Sequence, residues 1–419
     1  MSNDRAALIG LLTRASRKTD PDLMFDELTG LVEAAGGTVV LRAVQERPAA
    51  DAATLIGKGK AEEIALACAQ SKVDLAVFDN ELSPAQARNL EAILHCRVLD
   101  RTEVILDIFA RRARTREGKL QVELAQLQYM LPRLAGSGVA MSRLGGGIGT
   151  RGPGETKLET DRRRIRHRIA ALKRDIADVR LRRSHLRGRR TRRDVPTVAL
   201  VGYTNAGKTT LFNALTNSMA VASSAMFQTL DPLVRRLRLP DARQILMSDT
   251  VGFLDRLPHQ LVAAFHATLE EATNAELLVH VIDAAAADRE RRVNAVRGVL
   301  LEVGAGHVPV LEVFNKCDLL GPAELLRLKG LYPSAVFVSA VTGKGKSELV
   351  EIIASRLEMN PEHVQLELDT SQESDRRLLA DLYRHGRVIS HVAAEHRVSI
   401  EAEVPRRLLG RFLRAKVPA

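Results

Sequence analysis

The sequence contains no tryptophan, and aromatic residues make up only 3% of its 419 positions. A surface that stacks nucleic-acid bases would therefore depend on arginine planes more than on aromatic rings. Cysteine is also scarce, because Cys68, Cys96 and Cys317 lie far apart and no CxxC or Cys/His cluster occurs. We expect neither a structural zinc site nor a disulfide framework, which fits a reducing compartment.

Long apolar runs are absent as well. No stretch of 18 apolar residues occurs in the chain, so no transmembrane helix is predicted. The first 20 residues mix charged and apolar side chains and lack the continuous apolar segment of a signal peptide. These absences predict a cytoplasmic protein. The hydrophobic content of 45% is enough for two to four domains with their own cores.

Positive charge is concentrated in one segment. Residues 111–193 contain 24 of the 62 Lys and Arg residues but only 7 of the 51 Asp and Glu residues, so the rest of the chain is net acidic. A localised basic stripe is typical of a surface that binds a polyanion. The alternative is a solvated helix face, but such faces usually alternate charges of both signs, and this one does not.

Residues 1–105 alternate helical and strand patterns. The predicted helices and strands, in chain order, are 23–34, 38–41, 61–69, 74–78, 84–94 and 97–99. This alternation predicts a small α/β domain with a mostly parallel sheet.

Residues 106–194 carry two heptad stripes joined by one loop. Apolar residues recur at heptad spacing over 120–134 and again over 165–186, with Arg183 at one core position. The pattern predicts an antiparallel helical hairpin whose arms, of about 30 residues, reach roughly 45 Å. Dimerisation as a coiled coil is the alternative. Arg183 and the one-sided charge argue against it, so we expect a monomer.

The loop between the arms, residues 136–154, contains eight glycines among nineteen residues, together with Arg143 and Arg151. A turn between helices needs only a few residues, so this loop is long for its place. Bare backbone N–H groups and flexible arginines suit a close approach to phosphates, and a disordered linker is the alternative. The candidate RNA contacts are Gly145, Gly146, Gly147, Arg143, Arg151, Arg162, Arg163 and Arg164.

A phosphate-binding motif opens the domain predicted at 195–360. Residues 202–209 fit G-x-x-x-x-G-K-[ST], between a buried strand at 197–201 and a helical run at 210–217. Backbone N–H groups in this motif surround the β-phosphate, Lys208 attracts the β- and γ-phosphate oxygens, and the Thr209 hydroxyl binds Mg²⁺. The motif supplies the candidate GTP-binding residues Gly202, Tyr203, Thr204, Asn205, Ala206, Gly207, Lys208, Thr209 and Thr210.

Two further segments suit the phosphates and the metal. Asp249, at the end of a predicted strand, can hold a Mg²⁺-bound water, and Gly252 can donate its N–H to the γ-phosphate. Thr229 lies where a switch loop presents a threonine to Mg²⁺ and the γ-phosphate, with Ser223 and Ser224 as alternatives. The residues assigned here to the GTP site are Phe227, Gln228, Thr229, Leu230, Asp231, Asp249, Thr250, Val251 and Gly252.

Two more segments suit a guanine base. The carboxylate of Asp318 can accept N1–H and the 2-amino group of guanine, which adenine does not offer, and a backbone N–H at Ser339 or Ala340 can reach O6. The residues assigned to guanine are Asn315, Lys316, Cys317, Asp318, Val338, Ser339 and Ala340. Each motif is weak alone. In this order, each at the carboxyl end of a strand, they predict a GTPase domain with Mg²⁺ as cofactor.

No residue is assigned to orienting the hydrolytic water. GTPases of the Ras kind place a glutamine directly after the DxxG motif. Phe253 occupies that position here, with Asp255 nearby. We therefore expect slow intrinsic hydrolysis that waits for a partner to order the switch loops.

The chain resembles the HflX family of translational GTPases over essentially its full length. The resemblance rests on strings at 81–84, 112–123, 249–253 and 144–162, of which the last, LGGGIGTRGPGETKLETDR, is the most specific. It implies an α/β multidomain fold. The expected parts are an N-terminal α/β domain with a long antiparallel helical hairpin, a Ras-like P-loop GTPase domain, and a small C-terminal domain at 361–419.

The resemblance also implies a function. Family members bind GTP, bind the rRNA of the large ribosomal subunit and split stalled ribosomes, with the glycine loop directed toward the peptidyl transferase centre. A GTPase that assembles ribosomal subunits or remodels free rRNA is the alternative. Some members have a second nucleotide-related activity in the N-terminal region, for which residues 57–60, Gly-Lys-Gly-Lys, are the candidate although they lack Walker spacing.

Overall fold

The part of the chain that the structure describes forms three sheets with helices packed around them, and the multidomain α/β fold predicted from the sequence is confirmed. The computed structural model describes residues 4–13, 21–134, 153–191, 195–218, 226–227, 229–240, 244–255, 270–358, 361–394, 396–405 and 412. Within these ranges no helix combines the length and the hydropathy needed to span a membrane.

The N-terminal region is built on a four-stranded parallel sheet. Its elements are β1 (Arg5–Leu12), α1 (Pro21–Ala34), β2 (Thr38–Glu46), α2 (Lys58–Gln70), β3 (Leu75–Phe78), α3 (Pro84–Leu94), β4 (Arg97–Asp100) and α4 (Arg101–Arg112). The strand order is β2-β1-β3-β4. Helices α1 and α4 cover one face of the sheet and α2 and α3 the other, so the inner strands are buried on both sides.

Strand β1 lies inside this sheet, where the sequence analysis assigned no strand before residue 38. Residues 6–12 of β1 are all buried, because β2 and β3 flank the strand and helices cover both faces. A strand buried on both sides shows no alternation of apolar and polar residues. A short apolar run of this kind therefore lacks the periodicity by which a strand is recognised from sequence.

The helical hairpin consists of α5 (Arg116–Arg133) and α6 (Pro153–Thr191), which pack against each other. The arms are unequal, with 18 and 39 residues instead of about 30 each. The first arm begins only at Arg116, because the chain leaves helical geometry at Ala113. Thr115 then caps the new helix, α5, by accepting the N–H of Gly118. Arg183 and the loop over 136–152 lie outside the residues whose side chains are described.

Helix α5 is buried on two sides. The predicted leucine stripe from Leu120 to Leu134 is half-buried. A second row, formed by Val122, Ala125 and Tyr129, packs into the core under the N-terminal sheet. The base of the hairpin is therefore part of the N-terminal core.

The central region holds a six-stranded sheet, parallel except at one edge. Its elements are β5 (Thr197–Gly202), α7 (Lys208–Thr216), β6 (Leu233–Arg238), β7 (Gln244–Asp249), β8 (Leu277–Asp283), α8 (Arg289–Glu302), β9 (Val310–Asn315), α9 (Pro322–Leu331), β10 (Val336–Phe337) and α10 (Lys346–Glu358). The strand order β10-β9-β8-β5-β7-β6 gathers the carboxyl ends of β5, β7, β8 and β9 along one edge.

The C-terminal region is a three-stranded antiparallel sheet with one helix on it. Its elements are β11 (Pro361–Asp369), α11 (Glu373–His385), β12 (Arg387–Ala394) and β13 (Arg397–Pro405). One face of the sheet and Phe412 form a separate small core.

Candidate functional site

The phosphate-binding loop runs from the end of β5 to the start of α7, and two of its glycines are required by close contacts. A Cβ on Gly202 would lie 2.3 Å from the carbonyl oxygen of Val281, and a Cβ on Gly207 would lie 2.3 Å from Nδ2 of Asn315. Gly207 also has a φ of 87°, which favours glycine. The loop is thus packed directly on β8 and on β9, which leads into residues 315–318, the predicted base-facing motif.

Lys208 is buried at the first position of α7. Its Nζ donates to the carbonyl oxygens of Gly202 at 3.1 Å and Tyr203 at 2.9 Å. Burial lowers the pKa of Lys208 to about 8, an effect that Asp249 opposes. Among the described residues this ammonium hydrogen-bonds to backbone oxygens, and a buried positive charge favours an arriving anion such as a phosphate.

Three oxygens meet where a metal is expected. Thr209 Oγ1 lies 2.9 Å from Thr229 Oγ1, and both hydroxyls donate to Asp249 Oδ2, at 2.7 and 2.8 Å. Burial raises the pKa of Asp249, while Lys208 and the two hydroxyls oppose the rise. Its other oxygen, Oδ1, is buried and has no hydrogen-bond partner among the described residues.

This donor set fits Mg²⁺. The ion takes oxygen ligands in octahedral geometry at 2.0–2.1 Å, which places neighbouring ligands about 2.9 Å apart. The two threonine hydroxyls already have that separation. The sequence thus predicted Thr209, Thr229 and Asp249 as one group, and the fold brings their side chains together.

The segment after β7 pairs with the phosphate-binding loop. The N–H of Phe253 donates to Gly202 O at 3.1 Å, and the N–H of Thr204 donates to Phe253 O at 2.8 Å. A Cβ on Gly252 would lie 2.8 Å from Cγ2 of Thr204 and 3.1 Å from Nζ of Lys208, so only glycine fits there.

Phe253 occupies the place of the water-orienting glutamine but faces the protein interior. Its ring is 1% exposed and belongs to the apolar core shared with the N-terminal region. A buried phenyl ring can neither donate to nor accept from a water. The expectation that no side chain at this position orients the water is consistent with this packing.

The base-facing motif is tied to the phosphate-binding loop through Asn315. Its Nδ2 donates to Ala206 O, and its Oδ1 accepts the N–H of Ala340, both at 2.9 Å. The N–H of Cys317 donates to Val338 O at 3.2 Å. The phosphate-binding loop, the base-facing motif and the segment at Val338 to Ala340 are therefore joined by direct hydrogen bonds.

Asp318 is exposed at the carboxyl edge of the sheet, within the 3-10 turn Cys317–Leu319. The N–H groups of Ser339 and Ala340 already donate to Lys344 O and Asn315 Oδ1. Contact of either N–H with guanine O6 therefore requires one of these bonds to be exchanged.

Lys316, between Asn315 and Cys317, is held by a residue that the sequence analysis did not single out. Its Nζ lies 2.6 Å from Asp283 Oδ2 at the end of β8, and the other Asp283 oxygen accepts the N–H of Ala285. The sequence signal that could have identified Asp283 was its position, because it is an Asp at the end of a buried strand and in line with Asn315.

The N-terminal region reaches the site through a buried polar cluster. The hydroxyl of Tyr203 donates to Glu27 Oε2 at 2.7 Å and accepts the N–H of Asp255 at 3.0 Å. Arg101 donates to Asp255 O at 3.1 Å and forms ion pairs with Glu27 and Asp79. Tyr203 therefore directs its side chain toward α1 and α4. Glu27 and Arg101 each lie in a helix that carries several other charged residues, so no sequence signal distinguished them.

The candidate RNA contacts are described only in part. Arg163 and Arg164 are exposed on α6, Arg162 is half-buried, and Arg164 lies 3.7 Å from Asp161. Gly145, Gly146, Gly147, Arg143 and Arg151 lie outside the described residues, as does Gln228.

Three family models match the chain. Residues 22–110 match the GTP-binding GTPase N-terminal model, residues 112–190 the GTP-binding GTPase Middle Region model, and residues 197–316 the 50S ribosome-binding GTPase model. Together they cover three of the four strands of the N-terminal sheet, the hairpin and most of the six-stranded sheet.

Full-length relatives agree with these matches. The chain is 42% identical over 405 residues to the GTPase HflX of Caldanaerobacter subterraneus subsp. tengcongensis, covering 96% of this chain and 91% of the relative. It is 47% identical over 333 residues to the GTPase HflX of Escherichia coli strain K12, covering 79% and 78%. The chain therefore belongs to the HflX family of GTPases, which bind and hydrolyse GTP.

Proposed function

We propose that this GTPase binds the large ribosomal subunit and uses GTP to split ribosomes into subunits, acting as a monomer in the cytoplasm. The observation that carries the proposal is the basic surface of α6. Its exposed cations include Arg163, Arg164, Arg166, Lys173 and Arg174. They stand on the same chain as a GTPase domain whose family model is described as ribosome-binding.

A row of cations on a long helix suits the phosphate backbone of rRNA, because each neutralised phosphate releases a counterion and adds affinity at low salt. Arg168 does not belong to this row, since it binds both oxygens of Glu123 on α5 at 2.7 and 2.8 Å and so joins the two arms. We assign Arg162, Arg163 and Arg164, with Arg143, Arg151 and the glycines 145–147, to contacts with rRNA.

At the phosphates, Lys208 would exchange its two backbone acceptors for the β- and γ-phosphate oxygens. Thr209 and Thr229 would bind Mg²⁺ directly, and Asp249 would hold a Mg²⁺-bound water through Oδ1, which has no hydrogen-bond partner among the described residues. The metal would neutralise charge that develops on the phosphates. Gly252 would donate its N–H to the γ-phosphate.

At the base, Asp318 would accept the N1–H and 2-amino group of guanine. Asn315 would keep the base-facing turn fixed to the phosphate-binding loop, and Lys316 would be oriented by Asp283. This arrangement would favour guanine over adenine, because adenine has neither the N1–H nor the 2-amino group that would donate to Asp318.

Sucrose-gradient profiles of intact ribosomes test the proposal. We expect the protein with GTP to convert whole ribosomes to free subunits and to migrate with the large subunit, whereas GDP should not support splitting. If the protein migrates only with free or immature subunits and leaves whole ribosomes intact, the assembly or rRNA-remodelling alternative is supported instead.

A further inference from the structure

The segment that carries Thr229 is anchored to the hairpin by Asp231. One carboxylate oxygen of Asp231 accepts the N–H groups of Arg114 and Thr115 at 3.0 and 2.9 Å. The other oxygen accepts the hydroxyl of Thr115. A carboxylate at the start of α5 is also favoured by the helix dipole.

The hydroxyl of Thr115 serves two partners at once. It donates to Asp231 and accepts the N–H of Gly118 at 3.0 Å, which is the cap of α5. The same oxygen therefore caps the first helix of the hairpin and also binds the segment that carries Thr229. We call Thr115, Gly118 and Asp231 the α5 clasp.

Gly118 is sterically part of the clasp. A Cβ at this position would lie 2.6 Å from Asp231 Oδ1 and 3.2 Å from Thr115 Oγ1. Gly118 is buried, so the carboxylate of Asp231 occupies the space that any side chain would need.

A second anchor lies on the other side of Thr229. The ring of Phe227 packs edge-to-face on Phe109 of α4, with centroids 4.6 Å apart. Phe227 and Leu230 are 3% and 5% exposed and belong to the core shared with the N-terminal region. Thr229 thus lies between two attachments to α4 and α5, while its hydroxyl reaches Thr209 and Asp249.

We infer that Thr115 and Asp231 are positioning residues for GTP hydrolysis, so that the hairpin arm itself places Thr229 in the metal site. The inference rests on the proposed role of Thr229 as a Mg²⁺ ligand. It follows that the hydrolytic site of this GTPase is complete only when the base of the hairpin is docked.

The test is single-turnover GTP hydrolysis by the full-length protein, titrated with Mg²⁺. We expect Thr115→Val and Gly118→Ala each to raise the Mg²⁺ concentration for half-maximal rate, and to lower the maximal rate, by about tenfold. GTP binding measured without Mg²⁺ should not change. Thr115→Ser keeps the oxygen, so its Mg²⁺ dependence should stay within about twofold of wild type.

Two comparisons separate this effect from a loss of helix stability. Ser83→Ala removes an equivalent cap, because Ser83 accepts the N–H of Gln86 at the start of α3, which takes no part in the site. Gly118→Ala keeps every hydrogen-bonding group and introduces the better helix former, so it remains informative if Thr115→Val folds poorly.

Three results would overturn the inference. The first is a wild-type Mg²⁺ dependence in both Thr115→Val and Gly118→Ala, and the second is an equal shift in Ser83→Ala. The third is a shift in Thr115→Val when Thr229→Val has none, because the effect could not then pass through Thr229. That third result would also contradict the proposed role of Thr229 as a Mg²⁺ ligand, whereas the first two results would leave that role intact.

Discussion

At the scale of single residues, the exposed carboxylate of Asp318 should decide the base. Asn in its place presents a donor where guanine needs an acceptor, so Asp318→Asn should weaken GTP binding by roughly 100-fold or more. The variant should prefer xanthosine triphosphate, whose carbonyl oxygen at C2 can accept from the amide. Competition binding with the two triphosphates measures this, and an unchanged GTP affinity would remove Asp318 from the site.

Glu103 on α4 should make the N-terminal region less stable as pH rises. Burial, with help from Asp100 and Asp107 and against Arg133, raises its pKa to about 7, and Tyr129 donates to it at 3.4 Å. The folded protein therefore holds a proton that the unfolded chain releases near pH 4.5, so stability falls between that pH and about pH 7 and is then constant.

Glu103→Gln imitates the protonated form and should remove this loss. Relative to wild type, the variant should gain about 1–2 kcal/mol of unfolding free energy between pH 5 and pH 8, after allowance for partial exposure. Urea unfolding at the two pH values measures the gain. Glu33→Gln, at an exposed position of α1, is the control. A gain of the same size at both pH values would contradict the assignment.

At the scale of elements, the tip of the hairpin should be needed for ribosome splitting and not for nucleotide binding. Replacing Gly145, Gly146 and Gly147 with Ala, together with Arg151→Ala, should leave GTP affinity intact and abolish splitting. A Cβ at these positions would restrict backbone conformation and close approach. Binding to the large subunit should weaken only partly, because the α6 cations remain.

Light scattering of whole ribosomes mixed with this variant and GTP is the measurement. A variant that splits ribosomes as well as wild type would show the tip to be a linker. The arms or the GTPase domain would then have to perform the mechanical work.

At the scale of the whole molecule, hydrolysis should depend on the partner. Phe253 is buried, and the structure offers no side chain at that position to orient water, so pure protein should turn over GTP slowly. Large subunits should raise the turnover by about 1,000-fold or more, the range that supplied catalytic groups give in other GTPases. Steady-state phosphate release with and without large subunits measures this, and fast turnover alone would contradict it.

The local chemistry of the nucleotide site is encoded in short stretches of the sequence. The spacing of Gly202, Gly207, Lys208 and Thr209 after a buried strand fixes a phosphate-binding loop, because the required backbone shape depends on residues close together in the chain. The order of the later motifs then placed Asp249 and Asn315 at strand ends, and parallel strands bring such ends to one edge. Thr229 was predicted instead from its place in a switch loop, and the fold brings its hydroxyl to Thr209 and Asp249.

The way the hairpin meets the GTPase domain depends on long-range packing. The contacts of Asp231 with Thr115, and of Tyr203 with Glu27, join residues 116 and 176 positions apart, and no local pattern encodes such pairs. The second buried face of α5 was not predicted for the same reason. The leucine stripe indicates only that α5 packs on one partner, whereas its second face packs on the N-terminal sheet. Periodicity reports that a face is buried, whereas the identity of what covers it depends on long-range packing.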